Sequence, residues 1–203
     1  MLGYGVKKIA LWPGLIALVL GLFLATTAVS VGAAGAADKP AVSLVSVNPG
    51  LVPELARARQ ALWRAWQKAG LALARVVLTS EPARGYGRYQ PRADGRFRQG
   101  GELVVNLYLE PVGYGFRQLP EGWLEYGYTV DLAIQDPEGL PLFSRPGFLE
   151  VRRRARQPVL EDWLGLCFSM KGALPGKYLV VVTVRDAVGK GQAVAKVPIE
   201  IIK

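Results

Sequence analysis

Apolar residues fall at every second position through the second half of the chain, and that alternation predicts strands with one face inside. In residues 102–110, ELVVNLYLE, one side carries Leu103, Val105, Leu107 and Leu109. In 123–134 it carries Leu124, Tyr126, Tyr128, Val130, Leu132 and Ile134. In 159–170 it carries Leu160, Leu164, Leu166, Phe168 and Met170. Residues 178–186 place Tyr178, Val180, Val182 and Val184 together, and 192–202 close the chain. Residues 71–79 are rich in β-branched side chains and predict a further strand. Two short strands are expected at 140–144 and 148–151, on either side of Pro146-Gly147.

One stretch has a different period. Residues 53–69, PELARARQALWRAWQKA, put Leu55, Leu62, Trp66 and Ala69 on one helical face. Pro53 and Glu54 suit a first turn, and Gly70 suits a stop. The apolar face is expected to dock on a core; a partner groove is the sharper alternative. Between the first strand and 102, residues 80–101 are turn-rich. Short strands with regular turns and one helix predict an all-β fold, an antiparallel two-layer sandwich preceded by an amphipathic helix. The expected organisation is a linker over 38–52, a helix over 53–70 and a sandwich domain over 71–203.

The first 37 residues change the setting. Lys7 and Lys8 precede an uncharged run over 9–31, and small residues lead to Asp38. That order predicts a secretory signal peptide over 1–37, with a periplasmic or secreted product. The alternative is an uncleaved anchor, because about 20 apolar residues span a bilayer; residues 9–31 would then contact the membrane. No cysteine lies near the cleavage region, so lipoprotein processing is not indicated.

Composition narrows the chemistry. The chain has no histidine, which excludes Ser-His-Asp and Cys-His catalysis. Its one cysteine, Cys167, permits no internal disulfide and is expected as a small core residue, with an intermolecular thiol as the alternative. No sequence pattern calls for a cofactor or a metal.

The charge is uneven. With the leader removed, 23 bases face 16 acids. Residues 57–98 hold ten bases and two acids, whereas 99–203 hold twelve of each. A local excess predicts a face for something anionic. Export argues against nucleic acid. The expected partners are anionic lipid, acidic glycan or an envelope protein with an acidic surface. The expected partner-binding residues are Arg84, Arg88, Arg92, Arg96, Arg98, Tyr86, Tyr89 and Tyr114. Arg152-Arg153-Arg154-Ala155-Arg156 is a second basic run, expected to be solvated and neutralised by Glu150, Glu161 and Asp162.

Two Gly-Tyr-Gly triplets, at 85–87 and 113–115, are the sharpest local motif. With Tyr89, Phe116 and Trp123 they would line a sugar or peptide groove, or else cover the end of the sandwich. Neither continues as a phosphate loop. Glu110, Asp131, Asp136 and Glu102 are the nearest carboxylates. A pair such as Glu110 and Asp131 would hydrolyse glycosides if brought together.

Residues 174–202, from Leu174-Pro175-Gly176-Lys177-Tyr178 to a final strand containing Pro198, resemble the last two strands of immunoglobulin-like and fibronectin-like modules of exported bacterial proteins. The resemblance implies an immunoglobulin-like sandwich in which Tyr178 anchors a corner through its hydroxyl. The segment from Gly85-Tyr86-Gly87-Arg88-Tyr89 through Gly113-Tyr114-Gly115 and Asp131 is also similar to uncharacterised exported bacterial families, which imply no activity. The expected function is a non-catalytic exported module that binds an anionic envelope component or acidic protein. The alternative is a glycan-binding or glycan-hydrolysing protein.

Overall fold

The structure, a computed structural model, describes residues 51–203. The expected signal or anchor over 1–37 and residues 38–50 of the expected linker lie outside the described residues. Helix α1 runs Leu51–Ala69, so it takes in the last two residues assigned to the linker. Gly70 ends it at φ 71, a left-handed conformation that glycine adopts without a Cβ penalty.

Nine strands follow: β1 Ala72–Thr79, β2 Arg96–Arg98, β3 Glu102–Val112, β4 Arg117–Gln118, β5 Leu124–Gln135, β6 Pro141–Ala155, β7 Leu164–Lys171, β8 Gly176–Asp186 and β9 Gln192–Ile202. They form a three-stranded sheet, β1-β3-β7, and a six-stranded sheet in the order β2-β9-β8-β5-β4, with β6 on the other edge of β5. All pairings are antiparallel except β2 with β9. The strand distribution is immunoglobulin-like: β1, β3 and β7 take the places of strands A, B and E, and β5, β6, β8 and β9 those of C, C′, F and G.

The alternating side chains meet between the sheets. Val105, Leu107, Leu109, Val130, Leu132, Leu164, Leu166, Val180, Val182 and Val184 lie in one buried cluster. Tyr178 donates its hydroxyl to the Leu174 carbonyl at 2.8 Å, the bond expected of a corner tyrosine.

Four local expectations need correction. First, only part of the expected helix face docks, Trp66 but not Leu55 or Leu62, and Trp63 joins it. Leu55 and Leu62 remain about half exposed, while Trp63 meets Phe116 and Trp66 meets Tyr114 at ring distances of 5.2 and 5.0 Å. The Trp66 indole also donates to the Tyr114 carbonyl at 2.9 Å, so two large rings do the docking. Second, 140–144 and 148–151 are one strand. Pro146 and Gly147 form a bulge opposite Asp131, with Gly147 at φ 61 and its N–H bonded to the Asp131 carboxylate at 2.8 Å. Third, β2 emerges within the segment expected to be turns and β4 in a stretch given no element, because three and two residues are too few for a period. Fourth, Cys167 is half-buried and pairs in register with Asn106. It alternates with the inward Leu166 and Phe168, so it sits on the outer face and outside the core.

Candidate binding site on the outer face of the three-stranded sheet

Strand β3 is buried on both sides. Its inner face is the expected apolar row. Its outer face carries Asn106, Tyr108 and Glu110, all under 9 % exposed. The cover is the 80–91 segment, folded back as a pinched loop. Ser80 N–H donates to the Gln90 carbonyl at 3.0 Å and Arg84 N–H to the Arg88 carbonyl at 2.9 Å. Arg88 N–H closes the tip on the Gly85 carbonyl at 3.0 Å. The first Gly-Tyr-Gly triplet is therefore a four-residue turn, with Gly87 at φ 65 as its third residue.

A hydrogen-bond chain pins this turn to the sheet. Gly87 N–H donates to the Tyr108 hydroxyl at 2.7 Å, and that hydroxyl donates to Glu110 Oε1 at 2.8 Å. Arg75, opposite Glu110 on β1, brings its Nε to 3.5 Å from Glu110 and donates to the Tyr89 hydroxyl at 2.9 Å. Tyr89 stacks on Tyr108 with centroids 4.2 Å apart, and Trp163 stacks on its other flank at 6.1 Å. Trp163 fits because residue 165, opposite Tyr108, is glycine: an added Cβ would lie 3.0 Å from the indole. Burial and the Glu110 carboxylate push the Tyr108 hydroxyl far above the usual phenol range, so it stays a donor. Burial, then Glu110 and Glu161, also raise Tyr86. Tyr89 and then Glu110 raise the Arg75 guanidinium.

The expected partner-binding residues separate on this frame. Tyr86 projects from the turn 42 % exposed. Arg84 and Arg88 flank it, both exposed. Arg84 contacts Glu81 at 3.1 Å, and the Arg88 stem packs over Gly85. Tyr89 is half-buried in the ring stack. Arg92 turns away, its guanidinium 4.1 Å above the Phe97 ring and bonded to the Arg96 carbonyl at 2.7 Å. Arg96 pairs with Glu200 at 3.1 Å, and Arg98 is exposed on β2.

Tyr114 is not a surface residue. It is 1 % exposed, with its hydroxyl on the Val159 carbonyl at 2.7 Å and its ring among Trp66, Phe116, Tyr126 and Tyr128. The second triplet serves the fold. Gly113 at φ 70 lies where a Cβ would come 1.9 Å from the Gly70 carbonyl oxygen, and Gly115 N–H donates to Asp186 at 2.6 Å.

The second basic run is neutralised in part, by the expected Asp162 and by Glu125, which was not expected. Arg153 pairs with buried Asp162, Arg154 Nε lies 3.7 Å from Glu125, and Arg152 donates to the Ala187 carbonyl at 2.7 Å. Arg156 lies 4.2 Å over the Trp123 ring. Glu125 also pairs with Arg117, which holds its carboxyl below the usual range.

Glu110 and Asp131 lie on different sheets and on opposite outer faces, since Leu109, Val130 and Leu132 beside them point into the core. Asp131 is engaged by Arg185 and the Gly147 N–H; the Arg185 guanidinium holds its carboxyl low. The paired carboxylates of a glycosidase are not assembled from these two. Among the described residues no group of three His, Cys, Asp or Glu side chains is placed to hold a metal ion. Among them, too, no helix is long and apolar enough to cross a membrane.

No protein-family model and no curated protein matches the chain. Among solved structures, the crystal structure of the C-terminal domain of wzt is similar at a TM-score of 0.38 and 12 % identity, covering 66 % of this chain and 74 % of that one. At that score the likeness carries no argument about function.

The sequence missed Arg75, Tyr108, Glu110 in its pinning role, and Trp163. The available signal was the second face of β3: Asn106, Tyr108 and Glu110 alternate with the apolar row, and a tyrosine two residues before a glutamate lies on the same side of a strand.

Proposed function

We propose that the chain is an exported, non-catalytic β-sandwich module, periplasmic or secreted, that binds an acidic glycan of the envelope at the Gly85–Arg88 turn. The observation that carries the reading is the exposed Tyr86 between Arg84 and Arg88, on a turn held by the Gly87–Tyr108–Glu110 chain. A tyrosine ring offers a flat apolar face to a sugar ring. Guanidinium groups take carboxylate or phosphate through paired, charge-assisted bonds. Pinning the turn reduces the ordering cost of binding. The bias to glycan over anionic lipid or acidic protein rests on that aromatic–cation pairing.

Retardation in gels containing polygalacturonate, with neutral dextran as control, tests this. The wild-type protein is retarded by the acidic polymer only. Exposed charges are screened beyond about 8 Å at physiological salt, so the retardation weakens as salt rises. Arg84→Glu with Arg88→Glu abolishes it, while Arg152→Glu with Arg154→Glu leaves most of it. Equal mobility in both gels, or equal loss in both variants, contradicts the reading. Retention on phosphatidylglycerol vesicles without retardation by the polymer assigns the face to lipid instead.

A further inference from the structure

The two sheets do not close along the side formed by β6 and β7, and a cleft of about 450 Å³ opens there. Its floor is Leu132 and Ile134 of β5; Phe168 and Met170 of β7 form one wall. Phe143 and Arg145 of β6 form the other, and Leu174 stands at the rim. The β5–β6 register explains the opening. Phe143 is opposite Ile134 and Arg145 opposite Leu132. Directly opposed residues share a face, so both β6 side chains point inward with the core. Yet Phe143 is 39 % exposed, because β7 ends at Lys171 and no strand among the described residues covers it. Leu142 and Leu174 beside it are 53 % and 68 % exposed.

The charge in this cleft is of one sign. Arg145 is the inward-pointing base among its lining residues and no carboxylate lines it; Lys171, which follows the inward Met170, stands opposite Glu102 on the outer face. Arg145 makes no ion pair among the described residues and is half-buried on an otherwise apolar face. An inward-pointing base also guards an edge strand against pairing with another chain, but that role needs no cavity beneath it. Apolar clefts of a few hundred Å³ with a few convergent polar groups are the usual form of small-ligand sites. The geometry points to a binding site for a single aliphatic chain with an anionic head, the chain lying on Leu132, Ile134 and Phe168 and the head on Arg145. This site is independent of the proposed glycan face, which lies on the outer side of the three-stranded sheet, away from the cleft between the sheets.

Calorimetric titration of the exported form with dodecanoate, dodecyltrimethylammonium and lysophosphatidylglycerol, each below its micelle concentration, tests the assignment. Dodecanoate binds at least about tenfold more tightly than the cationic amphiphile, a difference of one charge-assisted contact. Binding of lysophosphatidylglycerol as well identifies a phospholipid source; binding of dodecanoate alone identifies free fatty acid. Arg145→Gln weakens the anions about tenfold without weakening the cation. Phe143→Ser weakens every probe, with unchanged circular dichroism confirming the fold. Equal affinity for both head charges, or no binding of any probe, overturns the assignment. So does an Arg145→Gln protein that binds dodecanoate as before but self-associates, which would leave edge protection as the role of Arg145.

Discussion

Two neighbouring arginines on β6, Arg153 and Arg154, differ sharply in their surroundings, and replacing each by methionine exposes the difference. Arg153 and Asp162 are only 18 % and 5 % exposed at their side chains. Asp162 also accepts from the Trp163 N–H at 2.8 Å and the Tyr128 hydroxyl at 3.1 Å, and Arg153 reaches the Trp163 carbonyl at 3.3 Å. Arg153→Met strands a buried carboxylate, which costs about 3–5 kcal/mol. Arg154 is 67 % exposed and 3.7 Å from Glu125, which keeps Arg117 as a partner. Arg154→Met therefore costs about 1 kcal/mol or less. In a domain of this size 1 kcal/mol moves Tm by about 2–4 °C, so Arg153→Met should lower Tm by roughly 6–20 °C and Arg154→Met by no more than about 4 °C. Urea unfolding followed by tryptophan fluorescence reads the free energies directly. Adding Asp162→Asn to Arg153→Met removes the stranded charge and keeps an oxygen for the Trp163 N–H, so it should recover part of the loss. Equal costs for the two single variants, or a double variant less stable than Arg153→Met, would refute the buried pair.

Other consequences follow from individual contacts. Gly113→Ala sets a Cβ against the Gly70 carbonyl at a positive φ; it should cost more than about 2 kcal/mol in thermal melts, whereas Gly139→Ala, with φ 91 and open space around it, should cost only about 1–2 kcal/mol. Asp131→Asn should destabilise the protein by about 1–3 kcal/mol at neutral pH. The Asp131 carboxyl is held below its usual value in the folded state, so its contribution is complete above about pH 4 and fades as pH falls through the lower folded value. Wild type and variant should thus converge in acid melts; a gap that widens on acidification would refute the Arg185–Asp131 assignment.

The parts of the fold legible in the sequence are those set by period. Leu103, Val105, Leu107 and Leu109 face inward as their spacing requires, as do Val180, Val182 and Val184. Features set by tertiary partners were not legible. Pro146-Gly147 has the composition of a turn, and only Asp131, from another strand, holds it as a bulge inside β6. The two Gly-Tyr-Gly triplets are identical locally, yet Tyr86 is exposed and Tyr114 buried because α1 lays Trp66 on the second. In the Arg152–Arg156 run Arg153 pairs with the nearby Asp162 as expected, but Glu125 reaches Arg154 across the sheet from β5, a pairing that sequence distance hides. Within the candidate site the arginines and Tyr86 were readable from local charge and glycine spacing. Their support, Arg75 and Glu110 on paired strands beneath the loop, depends on register.

The central claim is that the turn bearing Tyr86, pinned through Tyr108 to Glu110, is a glycan-binding surface. Backbone amide chemical shifts of residues 51–203 in the protein, titrated with a galacturonic acid trisaccharide and separately with its neutral galactose counterpart, test it most directly. The account predicts that the acidic sugar alone shifts amides, with the largest changes at Arg84 to Tyr89, a smaller change at Glu110, and none on the Arg152–Arg156 run. Shifts centred on that run, or equal responses to the neutral sugar, would contradict it.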